Sequence, residues 1–416
     1  MTDVRLRALG FREDEDGWIV GRVETGVCIA VPHAGKRAIE LLGSGRTILA
    51  TREELKAELG VELDVSGFVH DLAAVGMVAS IGDRVFADTG TPAPSLPWIT
   101  KGMVRWTLSP LLHCLMGLLV LGGVVAAALR PDVVPRWRSL LWSDHGTVVL
   151  LSEIALVAVL VSLHEFAHLL TARAAGVPGR IRVDTRLQFL AAQTDVSGIW
   201  LAERRIRLTV YLAGMAVDAS VLAGCLLTMA LSGGNTLLSV IALTEMTGLA
   251  LQFFIFMRTD LYFLVQDLAR CRNLYADATA FLLHLLRRAA RMPTAAPLAG
   301  IEPRQRRFVR IYSVLLVAGT GLCLGVFLLI SVPFTVALVA RSLGVLLRHD
   351  NHHDDHHDGL VDAVDALLTL GVVVAYQGVW VRAWVRRHGP RVRSFIARLA
   401  RPARSAGLPG FSPPRD

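Results

Sequence analysis

Long apolar runs constrain this 416-residue chain more than any other feature. Six stretches, 107–129, 147–172, 208–231, 237–257, 311–332 and 360–380, approach the roughly 20 apolar residues needed to cross a hydrocarbon core about 30 Å thick. In lipid the backbone must satisfy its own N–H and C=O groups, which selects helices. The expected fold is therefore a mainly α-helical polytopic membrane protein with about six transmembrane helices. A further apolar piece, 333–347, either continues the fifth span or is re-entrant or interfacial. Charged residues make up 19% of the chain, against about 25% in ordinary soluble domains. Residues 1–15 are polar and hold no apolar core, so no signal peptide is expected. The 5 cysteines are scattered and suggest neither a disulfide framework nor a thiolate metal site.

The net charge of +8 sits mostly in arginines that flank the apolar runs. Lys101 and Arg105, the arginines of 173–207 and 270–310, and those of 382–404 all fall on one side of a six-span arrangement. The positive-inside rule makes that side, and both termini, cytoplasmic. The basic balance thus belongs to membrane topology and implies no nucleic-acid partner.

Residues 1–88 read as a small soluble α+β domain. Trp18–Val20 and Val27–Val31 predict strands, and Lys36–Leu42 predicts a helix ended by Gly43. Thr51-Arg52-Glu53-Glu54 has capping-box spacing and predicts the start of a second helix. A third helix is expected over Val65–Ala74, then a hairpin over 77–86 turning at Gly82-Asp83. Three helices and a terminal hairpin form a winged-helix pattern. Acids outnumber bases in 15–88, which disfavours DNA contact. Residues 89–103, rich in Pro, Gly and Thr, read as a linker, 104–388 as the membrane domain and 389–416 as a basic cytoplasmic tail.

The second apolar run ends in His164-Glu165-Phe166-Ala167-His168. Residues four apart share a helix face, so the two imidazoles can hold one Zn2+ and Glu165 can serve as general base. Ionisable groups inside lipid cost about 2.5–3.5 kcal/mol each on insertion scales, so three together mark function. Catalytic zinc takes a third protein ligand. His164 lies roughly 26 Å along its span from the outer side, which is cytoplasmic depth. Asp260, at the cytoplasmic end of the fourth run, matches that depth and is the expected third ligand. Asp218 lies inside the third run and could be an outer partner of a ligand, a substrate or oxyanion contact, a rival ligand, or a structural hydrogen bonder. Glu153 and Glu245 are also intramembrane. After the histidine helix, Ile181, Val183, Leu187 and Phe189 alternate with polar residues, the pattern of a strand that could capture an unwound peptide or of a surface hairpin.

These residues make the chain resemble the site-2 protease family of intramembrane zinc metallopeptidases, and more closely its bacterial branch of peptide zinc metalloproteases. His164, Glu165 and His168 fall on that family's zinc ligands and catalytic glutamate, and Asp260 falls on its ligand aspartate. Leu212-Ala213-Gly214 and Asp218 fall on its Ala-Gly-Pro-x-x-Asn motif, with Met215 and Asp218 as departures; Leu261 departs from the glycine after the ligand aspartate. The resemblance implies a bacterial membrane metalloprotease cutting a peptide or membrane-protein substrate near the cytoplasmic face. The 1–88 region resembles the PqqD-like peptide-binding domains. This implies a leader peptide as partner and a role in maturation or export of a ribosomally made, modified peptide.

Two other functions fit part of the pattern. A catalytically inactive leader-peptide scaffold would suit the departures at Leu261 and Asp218. A zinc transporter would suit the histidine pair together with a His/Asp run at 349–358, where His352, His353, His356 and His357 are candidate ligands of a peripheral metal or parts of a solvated loop. That run falls on the non-cytoplasmic side, across the bilayer from the histidine pair.

Overall fold

The computed structural model describes residues 3–399 apart from 15–16, 61, 89–92, 137–138, 140–141, 144–145, 187–188, 272, 294–296, 299–301 and 349–355. It is mostly helical. Two compact units separate: residues 1–182 with 192–330, and residues 183–191 with 331–416.

The chain opens with β1 (Val4–Leu6), β2 (Gly10–Asp14), β3 (Gly17–Arg22) and β4 (Val27–Val31), followed by α1 (His33–Gly43), α2 (Ile48–Leu59), α3 (Val65–Ala74), β5 (Val78–Ile81) and β6 (Arg84–Val85). One antiparallel sheet has the order β2-β3-β4, and a second has the order β1-β5-β6. The three expected helices and the hairpin are present, but β1 and β2 add two strands to the expected set. Both are short: Val4 pairs with the distant Ile81, whereas Phe11 pairs with Val20 of the adjacent strand β3. The second helix starts one turn earlier than its capping-box pattern predicts. Thr47 is the cap, its hydroxyl accepting from the Ala50 N–H at 3.3 Å. Thr51 is fully buried inside the helix, so packing overrode the capping pattern. The helices and sheets close on a core that includes Val20, Ile39, Leu42, Leu55, Leu72 and Met77.

This region is joined to the rest of its unit by more than a linker. Arg12 Nε donates to the Trp200 carbonyl at 2.8 Å, and an Arg180 guanidinium N–H donates to the Glu24 carbonyl at 3.2 Å. A Cβ on Gly198 would strike the Val23 carbonyl, so that contact requires glycine. The segment read as a linker is itself held. Arg173 donates to the carbonyls of Ser95 and Ile99, while the Ile181 N–H donates to the Ser95 hydroxyl.

The remaining elements are α4 (Lys101–Val104), α5 (Pro110–Leu129), α6 (Gly146–Ala174), β7 (Arg180–Arg186), β8 (Phe189–Asp195), α7 (Arg204–Ser232), α8 (Thr236–Leu251), α9 (Asp260–Leu268), α10 (Leu274–Ala289), α11 (Pro303–Val326), α12 (Val332–Arg348) and α13 (His356–Leu399). Among the described residues, five segments are long and apolar enough to cross a membrane: Pro110–Leu129, Thr147–Ala174, Arg204–Ser232, Pro303–Leu329 and Val361–Arg386. Their packing is inside out relative to a soluble protein. Leu118 and Val159 are 64% and 57% exposed, whereas His164, Asp218 and Glu245 are buried. Lipid is the solvent that rewards this arrangement.

The fourth expected span differs. Helix α8 has 16 residues and stops at Leu251, short of a spanning helix, and the apolar run continues only as a 3-10 turn over Ile255–Met257. Side chains cause the break. The Thr259 hydroxyl donates to the Gln252 carbonyl at 2.6 Å, and the Gln252 side-chain oxygen accepts from the Asp260 N–H at 3.1 Å. These contacts substitute for the helical ladder. Of the strand and the surface hairpin left open around 180–189, the segment forms two consecutive paired strands, β7-β8, which extend to Asp195. In the second unit, 333–347 belongs to α12, which packs against α13. Helix α13 runs through the expected boundary at 388/389, and residues 400–416 of the tail lie outside the described residues.

Asp88, just past β6, receives two N–H groups from Arg22 in β3 at 3.1 and 3.3 Å and one from Arg7 at 3.0 Å. The Arg22 hydrogen bond holds its carboxyl below the usual carboxylate range. A carboxyl depressed on folding stabilises above its unfolded pKa of about 3.9 and loses that contribution as pH falls through the folded value. Amide exchange over β5–β6, corrected for intrinsic rates, is therefore expected to stay flat from about pH 7 to pH 5 and to accelerate below about pH 4. In Asp88→Asn, protection should be lower at neutral pH and should lack that acid transition.

Candidate metal centre

Helix α6 places His164 and His168 on one face, one turn apart, with ring centroids 4.9 Å apart. Their Nε2 atoms lie 3.2 Å from each other. Asp260 Oδ2 lies 2.8 Å from His164 Nε2 and 3.1 Å from His168 Nε2. These are the only three residues with His, Cys, Asp or Glu donors that converge in this way among the described residues.

The outer nitrogens decide what the inner ones need. His168 Nδ1 lies 2.7 Å from the Val210 carbonyl oxygen, which can only accept, so Nδ1 carries the hydrogen and donates. His164 Nδ1 lies 2.7 Å from Asp218 Oδ2 and likewise donates to it. A neutral imidazole with hydrogen on Nδ1 presents a lone pair at Nε2. Two lone pairs and a carboxylate oxygen then face one another in a buried place. Filling the gap with protons would put two imidazolium rings side by side, which like-charge repulsion disfavours. A metal cation satisfies all three. Tetrahedral zinc with bonds of about 2.0–2.1 Å sets its ligand atoms about 3.3 Å apart, and the observed 2.8–3.2 Å fits a zinc-sized ion. Held outer nitrogens are the usual support of histidine ligands to metal.

Helix α7 supplies that support with one face. Val210, Gly214 and Asp218 are spaced by four. Val210 contributes the carbonyl and Asp218 the carboxylate. Gly214 contributes space, because a Cβ there would fall on the His164 ring. Of the roles open to Asp218 in the sequence, the structure places it as the outer partner of a histidine and not among the three converging atoms. Period four along α7 is the sequence signal that joins it to Gly214 and Val210.

Asp260 is not at the end of a spanning helix, as expected, but opens the separate helix α9. Its carboxylate thus sits at a helix N-terminus, where the backbone dipole favours an anion. Gln252, which the sequence reading did not single out, donates to Asp260 Oδ2 at 3.3 Å as well as binding its N–H. The turn before it uses Arg258 in the left-handed region, φ 59°, and the guanidinium lies over the Tyr262, Phe263 and Tyr275 rings at 5.3–5.9 Å. Leu261, where the resemblance expects glycine, lies within α9 and has no positive φ, so its backbone needs no glycine. The far end of α9 is tied to α7 by a buried bidentate pair, Arg207 to Asp267, at 2.6 and 2.8 Å. Breaking such a pair by removing one partner costs about 3–5 kcal/mol.

Glu165 is buried beside the histidines. The Thr194 hydroxyl, near the end of β8, lies 2.7 Å from Glu165 Oε2 and 3.0 Å from the Glu165 carbonyl. Thr194 stands 29 residues from Glu165 in sequence, and no spacing pattern joins the two. Glu153 accepts from the Thr244 hydroxyl at 2.9 Å, and Glu245 is buried in α8. His352 and His353 lie outside the described residues, as do the side chains of His356 and His357.

Metal content orders the roles. Asp218→Asn is expected to weaken zinc affinity about 10–100-fold, the usual effect of losing an outer partner, and Asp260→Ala to weaken it further. Gly214→Val, which drives a side chain into the His164 ring, should also strip metal although it removes no ligand. Chelator competition followed by elemental analysis measures all three; retention by Asp260→Ala with loss in Asp218→Asn would exchange the two aspartates. Compared with protein families, with curated proteins and with solved structures, the chain matches none.

Proposed function

We propose that the chain is a membrane-embedded zinc metalloendopeptidase of site-2 protease type, hydrolysing a peptide bond near the cytoplasmic face of a bacterial cell membrane. The reading is carried by one observation: acceptor atoms of His164, His168 and the partly buried Asp260 converge, next in sequence to Glu165, whose carboxylate Thr194 anchors. Zinc bound there would supply a Lewis acid that polarises a peptide carbonyl and acidifies water.

The chain's own residues then have separable tasks. Asp218 and the Val210 carbonyl keep hydrogen on the outer ring nitrogens, so both Nε2 lone pairs stay directed inward. Thr194 occupies Glu165 Oε2, which leaves Oε1 to take a proton from the attacking water and return it to the departing amine. The low-dielectric surroundings strengthen each of these interactions. A substrate helix hides its carbonyls in hydrogen bonds, so the scissile segment must be extended. The β7-β8 sheet could take such a segment as an added strand. Six membrane passages, with α8 as a short one, and both termini cytoplasmic complete the proposed topology. Maturation or export of a modified peptide held by the N-terminal domain is the proposed setting.

Glu165→Gln tests the mechanism. The purified variant, in liposomes with its membrane, should lose at least about 100-fold in cleavage, the scale of general-base catalysis, with zinc content close to that of the unaltered chain. Unchanged cleavage would remove Glu165 from the chemistry. Zinc flux through the same liposomes would favour transport.

A further inference from the structure

A cavity of about 880 Å³ lies away from the metal centre, against the face of the β2-β3-β4 sheet that turns from its helices. That volume is near the top of the roughly 300–1,000 Å³ range of ligand pockets, too large for a single small anion. The register sets Arg12 beside Ile19 and Ile19 beside Ala30, with Gly21 beside Cys28. One wall is therefore a shelf of small and apolar side chains, Ile19, Cys28 and Ala30. Val20, on the opposite sheet face, is fully buried in the helical core.

The other wall is polar and cationic. It is built from the start of α7 and the end of α9, with Arg204, Arg207, Gln266, Asp267 and Arg270. Four arginines line the whole cavity, against three acids, Glu13, Asp14 and Asp267. Asp267 is engaged by Arg207 and, at 3.4 Å, by Arg204. The Arg12 guanidinium pairs with Asp14 at 3.7 Å, and its pKa is lowered, first by burial and next by the charge of Arg207. The arginines still exceed the acids by one, and an anion would offset that excess. A lipid headgroup would need its tails led away through apolar walls, whereas this cavity is bounded by a sheet and polar helix ends. An extended peptide meets both walls, with carboxylates toward the arginines and small side chains and backbone on the shelf. The position suits a substrate. Gln266 and Asp260 are six residues apart on α9, or about 9 Å.

We propose that this cavity is a subsite for an extended, acidic segment of the peptide substrate, flanking the segment that is cut. The proposal deepens the peptidase reading and rests on it for the word substrate, but not for binding itself.

The test is fluorescence anisotropy on the full chain in detergent, with a labelled ten-residue peptide alternating Glu and Ala, and its Gln counterpart. The Glu peptide should bind at least tenfold more tightly than the Gln peptide. Arg204→Gln with Arg270→Gln should weaken it at least tenfold, since charge-assisted pairs to arginine are the strong ones. Ala30→Trp, which fills the shelf from an exposed strand position, should weaken both peptides. Zinc content, measured in each variant, verifies that the unit is folded. Equal affinity for the two peptides, or an Ala30→Trp chain that binds as before, overturns the proposal. So does competition by millimolar inorganic phosphate, which would mean a general anion site. Binding of anionic-lipid vesicles that the arginine variants weaken and Ala30→Trp does not would assign the arginines to lipid and overturn it too. Because the readout is binding, a chain that never cleaves still passes or fails, which separates this proposal from the peptidase reading.

Discussion

Three lone-pair-bearing atoms held within 3.2 Å of one another in a buried place are the constraint on which the rest of the structure depends. They are mutually repulsive unless a cation lies among them, and they are brought together by elements far apart in the chain. Helix α6 carries two, and the break after α8 carries the third. Helix α7 enforces the arrangement without donating a ligand, through a carbonyl, an absent side chain and a carboxylate on one face. The clamp of Arg207 on Asp267 then keeps α9, and with it Asp260, from drifting away.

Much of this was legible in the sequence because it is local. His164 and His168 are four apart in an apolar helix, and both the periodicity and the cost of burying them are written in adjacent residues. Asp260 was legible by depth and by the resemblance. The break that positions it was not, since Phe253-Phe254-Ile255-Phe256 is as apolar as any span and hydropathy continues through it. What stops α8 is Gln252 reaching forward to Asp260 and Thr259 reaching back, contacts that have no hydropathic signature. β1 escaped for a related reason, because its partner β5 is distant in sequence. β2 pairs with the adjacent β3 and escaped because Gly10-Phe11-Arg12-Glu13-Asp14 holds a single large apolar side chain. Thr47 and Thr51 illustrate a third limit. Both are plausible caps one turn apart, Thr51 having the better pattern, and burial of Thr51 against the helical core selected the other.

The N-terminal region gains a different meaning from its contacts. As a sequence it is a self-contained α+β domain on a tether. In the structure it has its own core but also rests on the turn Ser197–Leu201, through Arg12, Gly198 and Gly10. That turn lies between Thr194, which holds Glu165, and Val210, which holds His168. Whatever displaces the domain therefore acts on the chain segment that joins the anchor of Glu165 to that of His168.

The shortness of α8 has a consequence for hydration. Its 16 residues extend about 24 Å, some 6 Å less than a typical hydrocarbon core. Residues 252–259 beyond it are largely irregular, and irregular backbone at membrane depth persists only where protein or water satisfies it. Here protein satisfies part of it, the Thr259 hydroxyl at the Gln252 carbonyl and the Tyr312 hydroxyl at the Ile255 carbonyl. Any backbone group left over calls for water, so a helix that ends early opens a place where the aqueous phase can approach the level of Asp260.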